Sequence, residues 1–63
     1  MIYATIKELC TERGISIAEC EKRAGIGNGV IAGWKSSSPM VKNLKAVADV
    51  LNVPVQDLLR EKE

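Results

Sequence analysis

Sixty-three residues can enclose only one small hydrophobic core. A chain of this size buries about 60% of its unfolded surface, and below about 70–80 residues such a core rarely contributes more than ~3–5 kcal/mol. Hydrophobic residues make up 46% of the chain and charged residues 27%, which is the composition of a folded soluble domain rather than a disordered one. We therefore expect a single domain over residues 1–63, built from short elements.

Several classes of protein are excluded by what the sequence lacks. No apolar run approaches the ~20 residues of a membrane span, and the N-terminus has no basic signal-peptide region, so we expect a cytoplasmic protein with no membrane contact. With two cysteines and no histidine, neither a zinc site nor a disulfide framework is indicated. Cys10 and Cys20 are interpreted as small buried hydrophobic residues.

Catalysis is also disfavoured by the residue types present. No serine or cysteine has a plausible base partner, every carboxylate falls on a predicted solvent face or near a terminus, and no phosphate-binding loop follows a strand. A bundle this small has little room for a pocket of several hundred cubic ångström. We expect no enzymatic activity, no cofactor, no metal and no small-molecule substrate.

Apolar residues recur at helical spacing, and no stretch alternates long enough to predict a strand. Two helices are predicted before residue 26, and each ends at a glycine, Gly14 or Gly25. Ser16 begins the second, with Glu19 three residues later as in a capping box. The predicted buried residues are Ile2, Ile6, Leu9 and Cys10 in the first helix and Ile17, Cys20 and Ala24 in the second.

Three further helices are predicted in the second half of the chain. The third covers about residues 28–35, the fourth about residues 40–51 after a Ser36–Pro39 loop, and the last begins near Pro54. Ile31 and Trp34 are expected to face inward, and one face of the fourth helix carries Val41, Leu44, Val47, Ala48 and Leu51. The apolar residues of the last helix are Val55, Leu58 and Leu59. The fold class predicted is all-α, a compact five-helix bundle.

Positive charge is concentrated in the middle of the chain. Residues 27–45 contain Lys35, Lys42 and Lys45 and no acidic residue. Four basic residues balance four acidic ones in residues 1–26, whereas residues 46–63 have two basic and four acidic residues. The middle segment is therefore the expected positive face.

A known motif becomes visible between residues 17 and 34. Counted from Ile17, glycine stands at the ninth position, aliphatic residues at the tenth and fifteenth, and tryptophan at the eighteenth: Gly25, Ile26, Ile31 and Trp34. Supporting stretches are Ile6-Lys7-Glu8-Leu9, Gly14-Ile15-Ser16, Asn28-Gly29, Ser38-Pro39, Leu51-Asn52-Val53 and Asp57-Leu58-Leu59. The chain resembles the lambda-repressor-like (Cro/XRE-type) helix-turn-helix DNA-binding domains, in particular small repressor-like regulators of phages and Gram-positive bacteria.

The resemblance implies a sequence-specific DNA-binding transcriptional regulator, a repressor, whose third helix enters the major groove of a double-stranded operator. By their positions in the motif, the residues implied to face DNA are Ser16, Ile17, Asn28, Gly29, Gly33 and Ser36, with Lys42 and Asn43 near the backbone. Asn28 is the expected base reader, because asparagine can pair with adenine through two hydrogen bonds. Lys35 and Lys42 suit phosphate contacts.

Two positions depart from the family pattern. Ile17 replaces the usual glutamine, and Glu21 replaces the alanine found where the two motif helices cross. Because a carboxylate should not be buried at that crossing, we expect the helices to splay or Glu21 to swing outward beside Lys22 or Arg23.

The third helix is unusually bare, with Gly29, Ala32 and Gly33 on its expected DNA face. Small residues there would let the backbone approach the groove closely. Alternatively, the face has lost its base readers, and the chain is a protein-interaction module on a helix-turn-helix scaffold. Relatives often bind pseudo-palindromic sites as dimers, so a weak homodimer is expected through exposed apolar residues near the C-terminus, Val53, Val55 and Leu59.

Overall fold

Five helices form the molecule, as seen in a computed structural model that describes residues 2–59. They are α1 (Ile2–Glu12), α2 (Ile17–Ala24), α3 (Val30–Gly33), α4 (Val41–Leu51) and α5 (Val55–Leu59). No strand occurs among the described residues. The predicted all-α, five-helix architecture is confirmed. No helix in residues 2–59 has the length and apolar character needed to span a membrane.

The core lies where α2 and α4 pack together, with α1, α3 and α5 closing around them. Every helix contributes at least one fully buried side chain, because the apolar stripes of the short helices all face this centre. Its members are Ile6, Cys10, Cys20, Ile31, Trp34, Leu44, Val47, Ala48, Leu51 and Leu58. Both cysteines are buried and unpaired by any disulfide, as predicted, and Trp34 is a core residue.

Helix ends follow the predicted breakers. Gly25 terminates α2 with φ of 74°, and its N–H donates to the carbonyls of Glu21 and Lys22. Asn52 terminates α4 in the same left-handed conformation, with φ of 57°. These conformations close the last turn of each helix and redirect the chain, which is why such short helices can pack around one core.

Two predictions about the helices were wrong. The third helix is shorter than the predicted residues 28–35, because only Val30–Gly33 is α-helical and hydrogen-bonded turns flank it on both sides. Val41 was expected on the core-facing side of α4 but is 71% exposed. Leu59 is exposed, as expected, because it follows the buried Leu58 by one residue and therefore points to another side of α5.

Candidate nucleic-acid interface

The first helix of the motif begins at a side-chain cap. The Oγ of Ser16 accepts a hydrogen bond from the backbone N–H of Glu19 at 3.0 Å, as the capping pattern predicts. The reciprocal bond of a full capping box is replaced by an ion pair, because Glu19 accepts from Nε of Arg23 at 3.0 Å instead. The start of α2 is thus fixed by Ser16, while the charges of Glu19 and Arg23 are paired on its exposed side.

The Glu21 carboxylate is buried at the junction of α2 and α3, contrary to our expectation. It is only 3% exposed and accepts two backbone hydrogen bonds, from Gly29 N–H at 3.1 Å and from Ile31 N–H at 2.8 Å. The helices need not splay, because the carboxylate has two donors at the start of α3. Neither Lys22 nor Arg23 is its partner in the ion pairs of the described residues.

The segment around α3 is a continuous series of short hydrogen-bonded turns. Val30 N–H donates to the Gly27 carbonyl, and the N–H groups of residues 33–37 donate to carbonyls three or four residues earlier. The Ser37 hydroxyl donates to the Gly33 carbonyl at 2.8 Å and closes the C-terminal end. Ile31 and Trp34 anchor this segment in the core and Val30 packs half-buried against it, whereas Asn28, Ala32 and Lys35 are exposed.

The predicted site residues lie at the starts of α2 and α4 and on both sides of α3. Asn28 and Gly29 are in the turn before α3, Gly33 is its last residue, and Lys35 and Ser36 are in the turn after it. The exposed ones are Ser16, Asn28, Gly29, Gly33, Lys35, Ser36 and Lys42. Ile17 and Asn43 are half-buried, and Ile17 packs against the core, so these two present only part of their side chains to a ligand.

The two glycines of the bare face differ in their structural roles. Gly29 has φ of 88°, a left-handed conformation that a side chain would strain. Gly33 has ordinary helical geometry, and a methyl group added to it would meet no atom within 4 Å. The backbone therefore requires glycine at position 29 but not at position 33.

Comparison with known proteins agrees with this geometry. The model of the helix-turn-helix family matches residues 6–58. This chain belongs to that family. The helix-turn-helix chain is 32% identical over 66 residues to the HTH-type transcriptional regulator SinR of Bacillus licheniformis, a match that covers all of this chain and 60% of the relative. The resemblance to Cro/XRE-type domains is confirmed; no solved structure matches the chain significantly.

This helix-turn-helix chain thus spans about 60% of the length of its curated relative. The match runs from the middle of α1 to α5, so it includes the elements that support the motif as well as the motif itself. The described residues contain no group of three or more His, Cys, Asp or Glu side chains arranged to hold a metal ion.

Two residues of this helix-turn-helix chain were not identified by sequence reasoning as parts of the site. One is Glu21, whose role at α3 was hidden because its partners are backbone groups. The other is Tyr3 of α1, whose ring lies 4.6 Å from the ammonium group of Lys35. This cation–π contact holds the lysine beside the end of α3. In the sequence, Glu21 was marked only by its departure from the alanine usual at that position of the motif. No sequence feature marked Tyr3.

Proposed function

We propose that this chain is a sequence-specific DNA-binding transcriptional regulator, a repressor, that places α3 in the major groove of a double-stranded operator. The proposal rests on how α3 is placed, with one side in the core and the other exposed. Ile31 and Trp34 anchor it in the core, and Ala32 and Gly33 are exposed within residues 27–45, a stretch that has three lysines and no acidic residue. A groove about 12 Å wide admits one helix of this kind.

Electrostatics supports the same proposal. The two ion pairs among residues 2–59 use Arg13 and Arg23, both with glutamates on or next to their own helix. Lys35, Lys42 and Lys45 take part in neither pair and are exposed. Their charge is therefore available to DNA phosphates, and three such groups give modest non-specific affinity that falls as salt rises.

The proposed roles divide by residue type. Asn28 reads a base edge from the turn before α3, and Lys35 and Lys42 contact phosphates on either side of the groove. Ser16 and Ile17 at the start of α2, and Asn43 near the start of α4, approach the DNA backbone. Gly29, Gly33 and Ser36 leave room for the groove wall, which lets the backbone of α3 come close.

One feature favours the alternative of a protein-interaction module. Met40 and Val41 are 69% and 71% exposed at the start of α4, close along the chain to the bare α3 surface. Large apolar side chains on a surface are typical of protein contacts when they form a patch. The relative's name describes a transcriptional regulator, and that description favours DNA as the primary ligand.

Selection of bound duplexes from a random DNA pool, repeated at two salt concentrations, tests the proposal. We expect enrichment of one sequence, pseudo-palindromic if the chain binds as a weak dimer, with affinity that falls steeply as salt rises. A matched pair of variants, Lys42→Ala and Met40→Ala, separates the candidates: the first should weaken DNA binding and the second should not. Negligible binding at low salt would exclude the regulator and favour the interaction module.

A further inference from the structure

We infer that the Glu21 carboxylate is a positioning group that holds the start of α3 against α2 and thereby sets how the recognition helix meets DNA. The inference about position stands on the geometry of the free protein. Its consequence for DNA rests on the proposed function.

The need for such a group follows from the shortness of α3. Its first N–H groups lack partners within the helix, as at every helix N-terminus. A side chain at the N-cap position usually accepts from them, but here that position is Gly29, which has no side-chain cap. Glu21 supplies acceptors from α2 for two of the N–H groups there, through bonds of 3.1 Å to Gly29 N–H and 2.8 Å to Ile31 N–H.

The chemistry of the contact is specific for a carboxylate. Both oxygens face N–H donors, and the residue is 3% exposed, so water contributes little to satisfying them. The positive end of the peptide dipoles adds to the attraction. Glutamine has the same shape but only one acceptor oxygen, and its NH2 group would face an N–H donor. Isosteric replacement by glutamine should therefore loosen one of the two bonds.

For the Glu21→Gln variant, the inference predicts a change in DNA affinity opposite to the one that charge alone would produce. Removing a negative charge close to the DNA-facing surface should strengthen binding to phosphates if charge alone matters. If Glu21 positions α3, the same change should weaken binding to the selected site while leaving binding to random duplex unchanged or stronger. Glu19→Gln is the matched control, because Glu19 is on the same helix with the same charge and contacts Arg23 rather than α3.

Amide hydrogen exchange on the free protein is the deciding experiment. In the wild type, the Ile31 amide should be protected although its acceptor is a side chain. In Glu21→Gln, exchange at Gly29 and Ile31 should rise by roughly ten- to hundredfold. Amides in the middle of α4, such as that of Val47, and all amides in Glu19→Gln should keep their wild-type protection. Should the glutamine variant fail to fold, the wild-type protection of Ile31 and the partial rescue expected from Glu21→Asp still test the inference.

Binding to the selected duplex and to random duplex is measured on the same proteins. The inference is supported if Glu21→Gln raises exchange only at the start of α3 and lowers the ratio of selected-duplex affinity to random-duplex affinity by at least about tenfold. Unchanged Ile31 exchange, or a uniform rise across all helices, overturns it, because Glu21 would then be irrelevant to α3 or would act only on global stability. If the wild type binds no DNA, the proposed function fails, and the exchange data alone decide whether Glu21 positions α3.

Discussion

Asn28 is the residue on which base reading is expected to depend. It is exposed in the turn that leads into α3, and its amide offers both a donor and an acceptor. We predict that Asn28→Ala loses about 1–3 kcal/mol of discrimination at one base pair, with little change elsewhere in the site. Duplex selection with the variant checks this, and an unchanged set of selected sites would show that Asn28 is not a reader.

Lys42 should behave differently because a phosphate contact carries no sequence information. It is exposed in the first turn of α4. We predict that Lys42→Ala weakens binding to all duplexes alike and flattens the slope of log affinity against log salt by about one. Titrations of the selected and random duplexes over a salt series measure both effects. A change in sequence preference would contradict the assignment.

The buried thiols should make the free energy of unfolding depend on pH. Burial, together with a smaller effect of the adjacent Cys10 thiol, raises the pKa of Cys20 from 9.0 to about 12. Below pH ~9 both the folded and the unfolded chain keep this proton, so its contribution to stability is complete. Between about pH 9 and 12 the unfolded chain loses the proton first, and the free energy of unfolding should fall by up to ~1.4 kcal/mol per pH unit.

Urea unfolding at about pH 8 and about pH 10 tests that slope, with Cys20→Ala as the control for lysine and tyrosine ionisation. The variant should show a shallower fall. Because the thiolate is the reactive form, both cysteines should also resist alkylation in the folded protein. An equal slope in both proteins would mean that Cys20 does not titrate above its ordinary range in the fold.

The close approach of helix α3 to DNA that we propose can be tested by enlarging one of its residues. Gly33 is helical with open space around it, so Gly33→Ala should stabilise the fold by up to ~1 kcal/mol. The added methyl group would nevertheless stand on the surface proposed to meet the groove. We predict a higher thermal midpoint together with weaker binding to the selected duplex.

Gly29→Ala is the contrasting variant for the same helix. Its φ of 88° is unfavourable for alanine, so this change should destabilise rather than stabilise the protein. Thermal unfolding followed by circular dichroism compares the two variants. If Gly33→Ala binds the selected duplex as tightly as the wild type, then α3 does not approach DNA closely at that residue.

Association between two copies of the chain depends on the apolar surface of the whole molecule. Val53 and Val55 were expected on the surface but pack half-buried against the core, which leaves Leu59 at 59% exposure as the apolar residue of the proposed dimer surface. So small an apolar area supports at most weak association, because stable interfaces bury about 1,200–2,000 Å².

We predict a monomer in free solution and a dimer on an operator whose half-sites are about 34–36 Å apart. Sedimentation velocity with and without the selected duplex measures both states, and Leu59→Lys should reduce the DNA-bound dimer specifically. Monomer in both conditions would exclude the dimer, whereas a tight dimer without DNA would require a contact surface larger than the one around Leu59.

The positions of the helices and most of the core followed from the sequence, because the signals concerned are local. Apolar spacing of three and four residues defined the buried stripes that include Ile6, Cys20 and Leu51, and Gly25 and Asn52 ended their helices as left-handed residues. The helix-turn-helix motif was visible for the same reason: its residues lie within 18 consecutive positions, so their spacing is independent of the rest of the fold.

Only the tertiary structure decided which groups meet across elements. The Glu21 carboxylate bonds to N–H groups eight and ten residues later, and Tyr3 reaches Lys35 from the other half of the chain. Backbone donors carry no residue identity, so no sequence pattern marks them as partners of a carboxylate. The exposure of Val41, whose spacing matches the buried residues of α4, was likewise decided by packing. Local chemistry thus defined the helices, and their packing determined which side chains support α3.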